Sequence, residues 1–101
     1  MGNKAERCQD LGAGDNKYLL FSGVMYIGIN RFEEHREILA TSGKTKDQVL
    51  VAGAYTVTER SIIVDGEGSM SLNIGRRDST PTAEHIKSFP DAAGKNVLAM
   101  P

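Results

Sequence analysis

Tryptophan, paired cysteines, a charge excess and a membrane-length apolar run are all missing from this chain. With no Trp, three Tyr and three Phe in 101 residues, a core has to be assembled mostly from Val, Ile, Leu and Met. The single cysteine, Cys8, can close no internal disulfide and builds no metal cluster alone. A reducing compartment follows from that, and the opening residues hold no apolar stretch of a signal peptide, so a cytoplasmic location is expected. Glu6 stands where a myristoylation motif needs Ser or Thr, which removes that anchor despite Gly2. Twelve Lys and Arg face thirteen Asp and Glu, for a net charge of -1, with no basic stripe. A dedicated nucleic-acid binder concentrates positive charge, so no nucleic-acid partner is expected. The longest apolar-rich stretch, residues 18–29, falls well short of the ~20 residues a bilayer requires, so no membrane partner is expected either.

What remains is an ordinary soluble-domain composition, 40% hydrophobic and 25% charged, at a length suited to one domain. Residues 1–16 are polar and hold Gly12, Gly14, Asp15 and Asn16 as turn material; they read as a mobile N-terminal arm with a short ordered piece near Leu11. Residues 17–101 read as a single α+β domain.

Within it, residues 18–29 (YLLFSGVMYIGI) are apolar on both parities, as in a strand covered on two sides, with Ser22 and Gly23 able to bend it. Asn30 followed by Glu33 forms a capping-box-like pair ahead of a helix that carries Phe32, His35 and Leu39 on one face and ends at Gly43. Residues 48–58 alternate, with Val49, Val51, Tyr55 and Val57 on one side. Residues 61–74 alternate more regularly around a glycine-rich interruption at 65–68. They read either as two short strands joined by a turn or as one kinked strand. Thr80 and Pro81 open a second helix with Ala83, Ile86 and Phe89 inward, and residues 96–100 (NVLAM) read as an edge strand or a partner-binding end. The expected architecture is α+β: a mainly antiparallel sheet of four or five strands with two short helices. Its order is either ferredoxin-like βαββαβ or a β-meander flanked by helices.

Chemistry-bearing constellations are sparse. His35 and His85 each follow a glutamate, but neighbours on a helix point about 100° apart, and no metal-ligand spacing is present, so no metal is expected. The glycines at 66 and 68 are followed by strand-like alternation rather than the helix a phosphate loop needs. No serine sits in a nucleophile-elbow motif, and Cys8 has no histidine near it in sequence. Catalysis and cofactors are therefore not expected. The segment 75–81 (GRRDSTP) places Arg76 and Arg77 before a helix N-terminus, which suits a small anionic ligand; helix capping by the same residues is the plainer explanation.

Two functions follow. The first is a non-enzymatic homodimeric interaction protein, because two short helices have little surface with which to cover a strand that is apolar on both faces. The second is a small enzyme or ligand binder using a pocket between sheet and helices, lined by Tyr26, His35, Tyr55, Arg76 and Arg77.

Overall fold

The segment 18–29 folds back on itself. In the computed structural model, which describes Leu11, residues 14–30 and residues 32–100, β1 spans Gly14–Phe21 and β2 spans Val24–Ile27. Ser22 and Gly23 turn between them, Gly23 adopting φ 78°, a left-handed value that costs a residue without a β-carbon little. The two-residue turn pairs Phe21 with Val24 and Leu19 with Tyr26. It therefore exchanges the parities expected for an unbroken strand: Leu19, Phe21 and Tyr26 share one face, while Tyr18, Leu20, Met25 and Ile27 share the other.

Helix α1 spans His35–Ser42, four residues later than the Asn30 cap implied. Glu34 is the N-cap and Glu37 completes a reciprocal capping box, so the motif expected at Asn30 and Glu33 is realised one turn on. Asn30 and Glu33 are used in the preceding turn, their side-chain oxygens accepting the amides of Phe32 and Ile29. Phe32 consequently stands in solvent, whereas His35 and Ile38 point inward. Gly43 ends the helix at φ 75°, as expected. Strand β3 (Val51–Val57) pairs with β1 along its length, and β4 (Ser61–Val64) pairs with the far end of β3. Helix α2 spans Thr80–Ile86, and β5 (Asn96–Ala99) returns parallel to β4.

The result is a five-stranded sheet in the order β2-β1-β3-β4-β5, antiparallel except for its last pair, with two helices. The α+β class and the mainly antiparallel sheet are as expected from sequence. The chain order is ββαββαβ, so neither of the two expected orders describes it. Residues 61–74 form neither a hairpin nor one long strand: after Val64 the chain leaves the sheet and makes a 3-10 turn over Glu67–Leu72.

The helices lie on opposite faces. Ala83, Ile86, Phe89 and Ala92 pack on the face of Tyr18, Leu20, Val51 and Tyr55, while Ile38 and Leu72 pack on the face of Leu19, Phe21, Tyr26 and Ala52. Tyr18 and Leu19, adjacent and opposite-facing, are both 0% exposed in the single chain. The premise that β1 needs a second copy to shelter it therefore fails, because two short helices divided between two faces suffice when the 3-10 turn adds Leu72. Leu11, from the expected arm, is also buried: its carbonyl accepts the Tyr55 hydroxyl at 2.8 Å and its amide donates to Asp91. Gly14, Asp15 and Asn16 belong to β1, and the remainder of that arm, Cys8 included, lies outside the described residues.

Candidate functional site

β4 is shorter than β3, so β3 runs on past it with main-chain groups that must be satisfied by something other than a strand. Side chains do this. Asp65 donates its amide to the Ala54 carbonyl at 3.0 Å, and its Oδ1 accepts the Ala54 amide at 3.2 Å. The hydroxyl of Ser69, fully buried, accepts from the Ala52 amide at 2.9 Å and donates to the Ala52 carbonyl at 3.1 Å. Arg77 donates through Nη1 to the Leu50 carbonyl at 3.0 Å and through Nε to Ile74 O at 3.2 Å. Segment 65–77 thus replaces the missing strand.

Such close apposition requires glycine on both sides. A β-carbon on Gly53 would stand 1.8 Å from the Asp65 carbonyl oxygen, and one on Gly66 would stand 1.9 Å from that of Arg77. One on Gly68 would meet His35 Nε2 at 2.3 Å. The glycines at 66 and 68 therefore serve close backbone approach.

His35, the first residue of α1, fills the space beside Gly68. Its Nε2 lies 2.8 Å from the Gly53 carbonyl, an atom that only accepts, so in the neutral ring Nε2 carries the proton and donates. Burial pushes the imidazole pKa below its ordinary value, the bond to Gly53 opposes that, Lys17 adds to the lowering, and Asp65 and Glu34 oppose it. This is a histidine holding a loop to a strand.

The other expected site residues are separated. Tyr26 is buried edge-on to Phe21, ring centroids 5.3 Å apart, on the α1 face. Tyr55 lies on the α2 face with its hydroxyl on Leu11 O. Tyr26, His35, Tyr55 and the arginines consequently line no common pocket: alternation along the sheet puts Tyr55 on the face opposite Tyr26. Arg77 is taken up by the carbonyls of Leu50 and Ile74, and Arg76 pairs with Glu67 at 3.4 Å, both side chains more than half exposed. Asp78, one residue before the N-cap Ser79, accepts the amide and hydroxyl of Thr80 at 3.0 and 2.8 Å, and these bonds hold its carboxyl below the usual range. The N-cap itself, Ser79, makes no side-chain cap bond, its hydroxyl donating instead to the carbonyls of Val64 and Met100, so the capping expected of Asp78, Ser79 and Thr80 together is not what the segment does.

Clefts open on the surface among the described residues. One is lined by Lys17, Phe32, Glu34, His35 and Arg36. Another, lined by Arg76, Arg77, Asp78, Thr80, Ala99 and Met100, lies where the parallel strands β4 and β5 end. Among the described residues, no group of three or more His, Cys, Asp or Glu could hold a metal ion, and no helix is long and apolar enough to cross a membrane.

Little in the residue pattern points to what is left uncovered. Ile63 pairs in register with Leu98 on the face that α1 covers only farther along the sheet, and Leu98 and Met100 are each 49% exposed. Their signal was the uncharged stretch NVLAM. Comparison of the chain with models of known families, with curated proteins and with solved structures finds no match.

Proposed function

We propose that the protein is a non-enzymatic interaction module that works as a homodimer in the cytoplasm. The observation that carries this reading is the β4–β5 end of the sheet, where Ile63, Leu98 and Met100 present apolar surface beside a strand edge that no other strand pairs among the described residues. Several side chains suited to chemistry hold the fold together: Tyr18, Tyr55, His35, Ser69 and Arg77 are bonded to main-chain atoms. Sedimentation equilibrium from about 10 µM to about 1 mM tests the reading, since a contact of this limited extent belongs to the weak end of the interface range. A dimer that Leu98→Lys converts to monomer is the expected result, because a charge on an edge strand opposes pairing. A monomer throughout the range refutes it.

A second reading, a small-anion binder, draws on the cleft at the carboxyl ends of β4 and β5, the usual ligand position in sheets with parallel strands. Arg76 meets Glu67 there across a solvent-exposed contact, and a carboxylate or phosphate would take the place of Glu67. Calorimetric titration with inorganic phosphate, wild type against Arg76→Ala, separates the two: heat lost in the variant supports the second reading, and no heat in the wild type at millimolar phosphate removes it.

A further inference from the structure

Resting on the homodimer reading, we infer that two copies join antiparallel through β5 about a two-fold axis at Leu98, so that one sheet runs through both.

The direction of the main-chain groups sets the register. Asn96 N–H donates to Arg60 O at 2.9 Å and Met100 N–H to Val64 O at 2.8 Å, so even-numbered residues of β5 face β4. By the alternation of a strand, Val97 and Ala99 turn their N–H and C=O outward at the sheet edge. An antiparallel copy that matches outward residue to outward residue with Leu98 on the axis pairs Val97 with the copy's Ala99, and Ala99 with its Val97. Both are hydrogen-bonded pairs that exchange two bonds each. Sliding the axis to Val97 opposes Ala99 to Lys95, whose N–H is already given to Ala92 O. Sliding it to Ala99 opposes Val97 to Pro101, which has no N–H. The Leu98-centred register therefore uses the edge most fully.

The side chains agree with it. Leu98 meets its own copy as a non-hydrogen-bonded pair, the type in which side chains come closest. Ile63 flanks Leu98 in register, so an apolar row Ile63–Leu98 continues into the same row of the second copy. Residues 96–100 carry no charge, so no like charges are opposed across the axis. Lys95, the nearest charge in sequence, is turned away, its Nζ donating to the carbonyls of Thr58 and Glu59. Free edges are commonly blunted by Lys or Pro, and β5 has neither within it. The opposite edge, β2, offers no large exposed apolar side chain to bury on pairing, which favours β5.

Cysteine cross-linking in a Cys8→Ser background tests the register. A non-hydrogen-bonded antiparallel pair has its Cα atoms about 4.5 Å apart, within disulfide reach. Mild oxidation of Leu98→Cys should give a covalent dimer at least about tenfold faster than Ile29→Cys, an exposed position away from the axis. Asn96→Cys mixed with Met100→Cys should cross-link to each other. Sedimentation of the Cys8→Ser protein runs alongside. A dimer with slow Leu98→Cys cross-linking overturns the β5 register and leaves the homodimer reading standing; a monomer overturns both.

Discussion

Replacing Gly53 by Ala should be far more damaging than the same replacement at Gly43, although both glycines look alike in the sequence. At Gly43 the backbone has φ 75° and nothing lies within 4 Å of an added β-carbon, so the cost is the left-handed strain alone, about 1 kcal/mol. At Gly53 the new carbon would sit 1.8 Å from the Asp65 carbonyl oxygen and 2.7 Å from the carbonyl carbon, both main-chain atoms that no rotamer change can move. Restoring an ordinary carbon–oxygen contact means lifting residue 65 by about 1.5 Å. Hydrogen bonds do not survive that displacement. The pair between Asp65 and Ala54 goes first, followed by Tyr18 to Asp65 O and the Ser69 bridge to Ala52. Three or more bonds at roughly 0.5–1.5 kcal/mol each, with partial exposure of Leu72, put the loss near 3–5 kcal/mol, a large share of the roughly 5–15 kcal/mol a domain has. Thermal unfolding by circular dichroism should show Gly53→Ala lowered by about 12 °C or more and Gly43→Ala by about 4–8 °C. Equal shifts for the two variants would refute the claim that segment 65–77 stands in for a strand.

Acidification should destabilise the fold in part through His35. Burial holds its folded-state pKa below the ordinary 6.5, so its contribution is fully present above about pH 6.5 and is lost as pH falls toward the folded value. His35→Gln, which keeps a donor for Gly53 O, should flatten the drop in urea midpoint between pH 7.5 and pH 5.5; His85, also lowered by burial, leaves a residue of the effect. An unchanged slope would show His35 to be uninvolved. Tyr18→Phe should cost about 1–3 kcal/mol in urea unfolding, since it removes the buried donor to Asp65 O; a cost under about 0.5 kcal/mol would contradict that role. Ala99→Pro should leave the monomer's stability nearly intact, because that N–H faces the open edge, while weakening dimerisation at least about tenfold by sedimentation. Dimerisation as strong as wild type would exclude β5.

The strand and helix material was legible because its signals are local: alternation for β3 and β4, Pro81 for α2, Gly43 for the end of α1. The start of α1 differs from the expected one since two pairs of the same spacing, Asn30–Glu33 and Glu34–Glu37, offer the same capping chemistry, and packing of Ile38 selects the second. The fate of residues 65–77 was hidden for a different reason. Asp65, Gly66 and Gly68 have the composition of a turn, and only tertiary contact with Gly53 and His35 reveals that they lie along β3. The site residues suffered likewise: Tyr26 and Tyr55 are both buried aromatics, and the sheet face each occupies depends on a hairpin register that hydropathy alone does not carry. The helical spacing put His35 on the inward side of α1, where it lies, but its bond to the Gly53 carbonyl is a tertiary contact that no local pattern carries.

Everything turns on whether one chain completes both layers of the sheet and uses a copy only at the β5 edge. Urea unfolding of Leu98→Lys at about 5 µM and about 200 µM protein decides this, because stability drawn from association rises with concentration whereas stability within a chain does not. The expected result is a cooperative transition with the same midpoint at both concentrations, while the wild-type midpoint rises with concentration. A Leu98→Lys protein that is unfolded, or whose midpoint falls on dilution, would contradict the account.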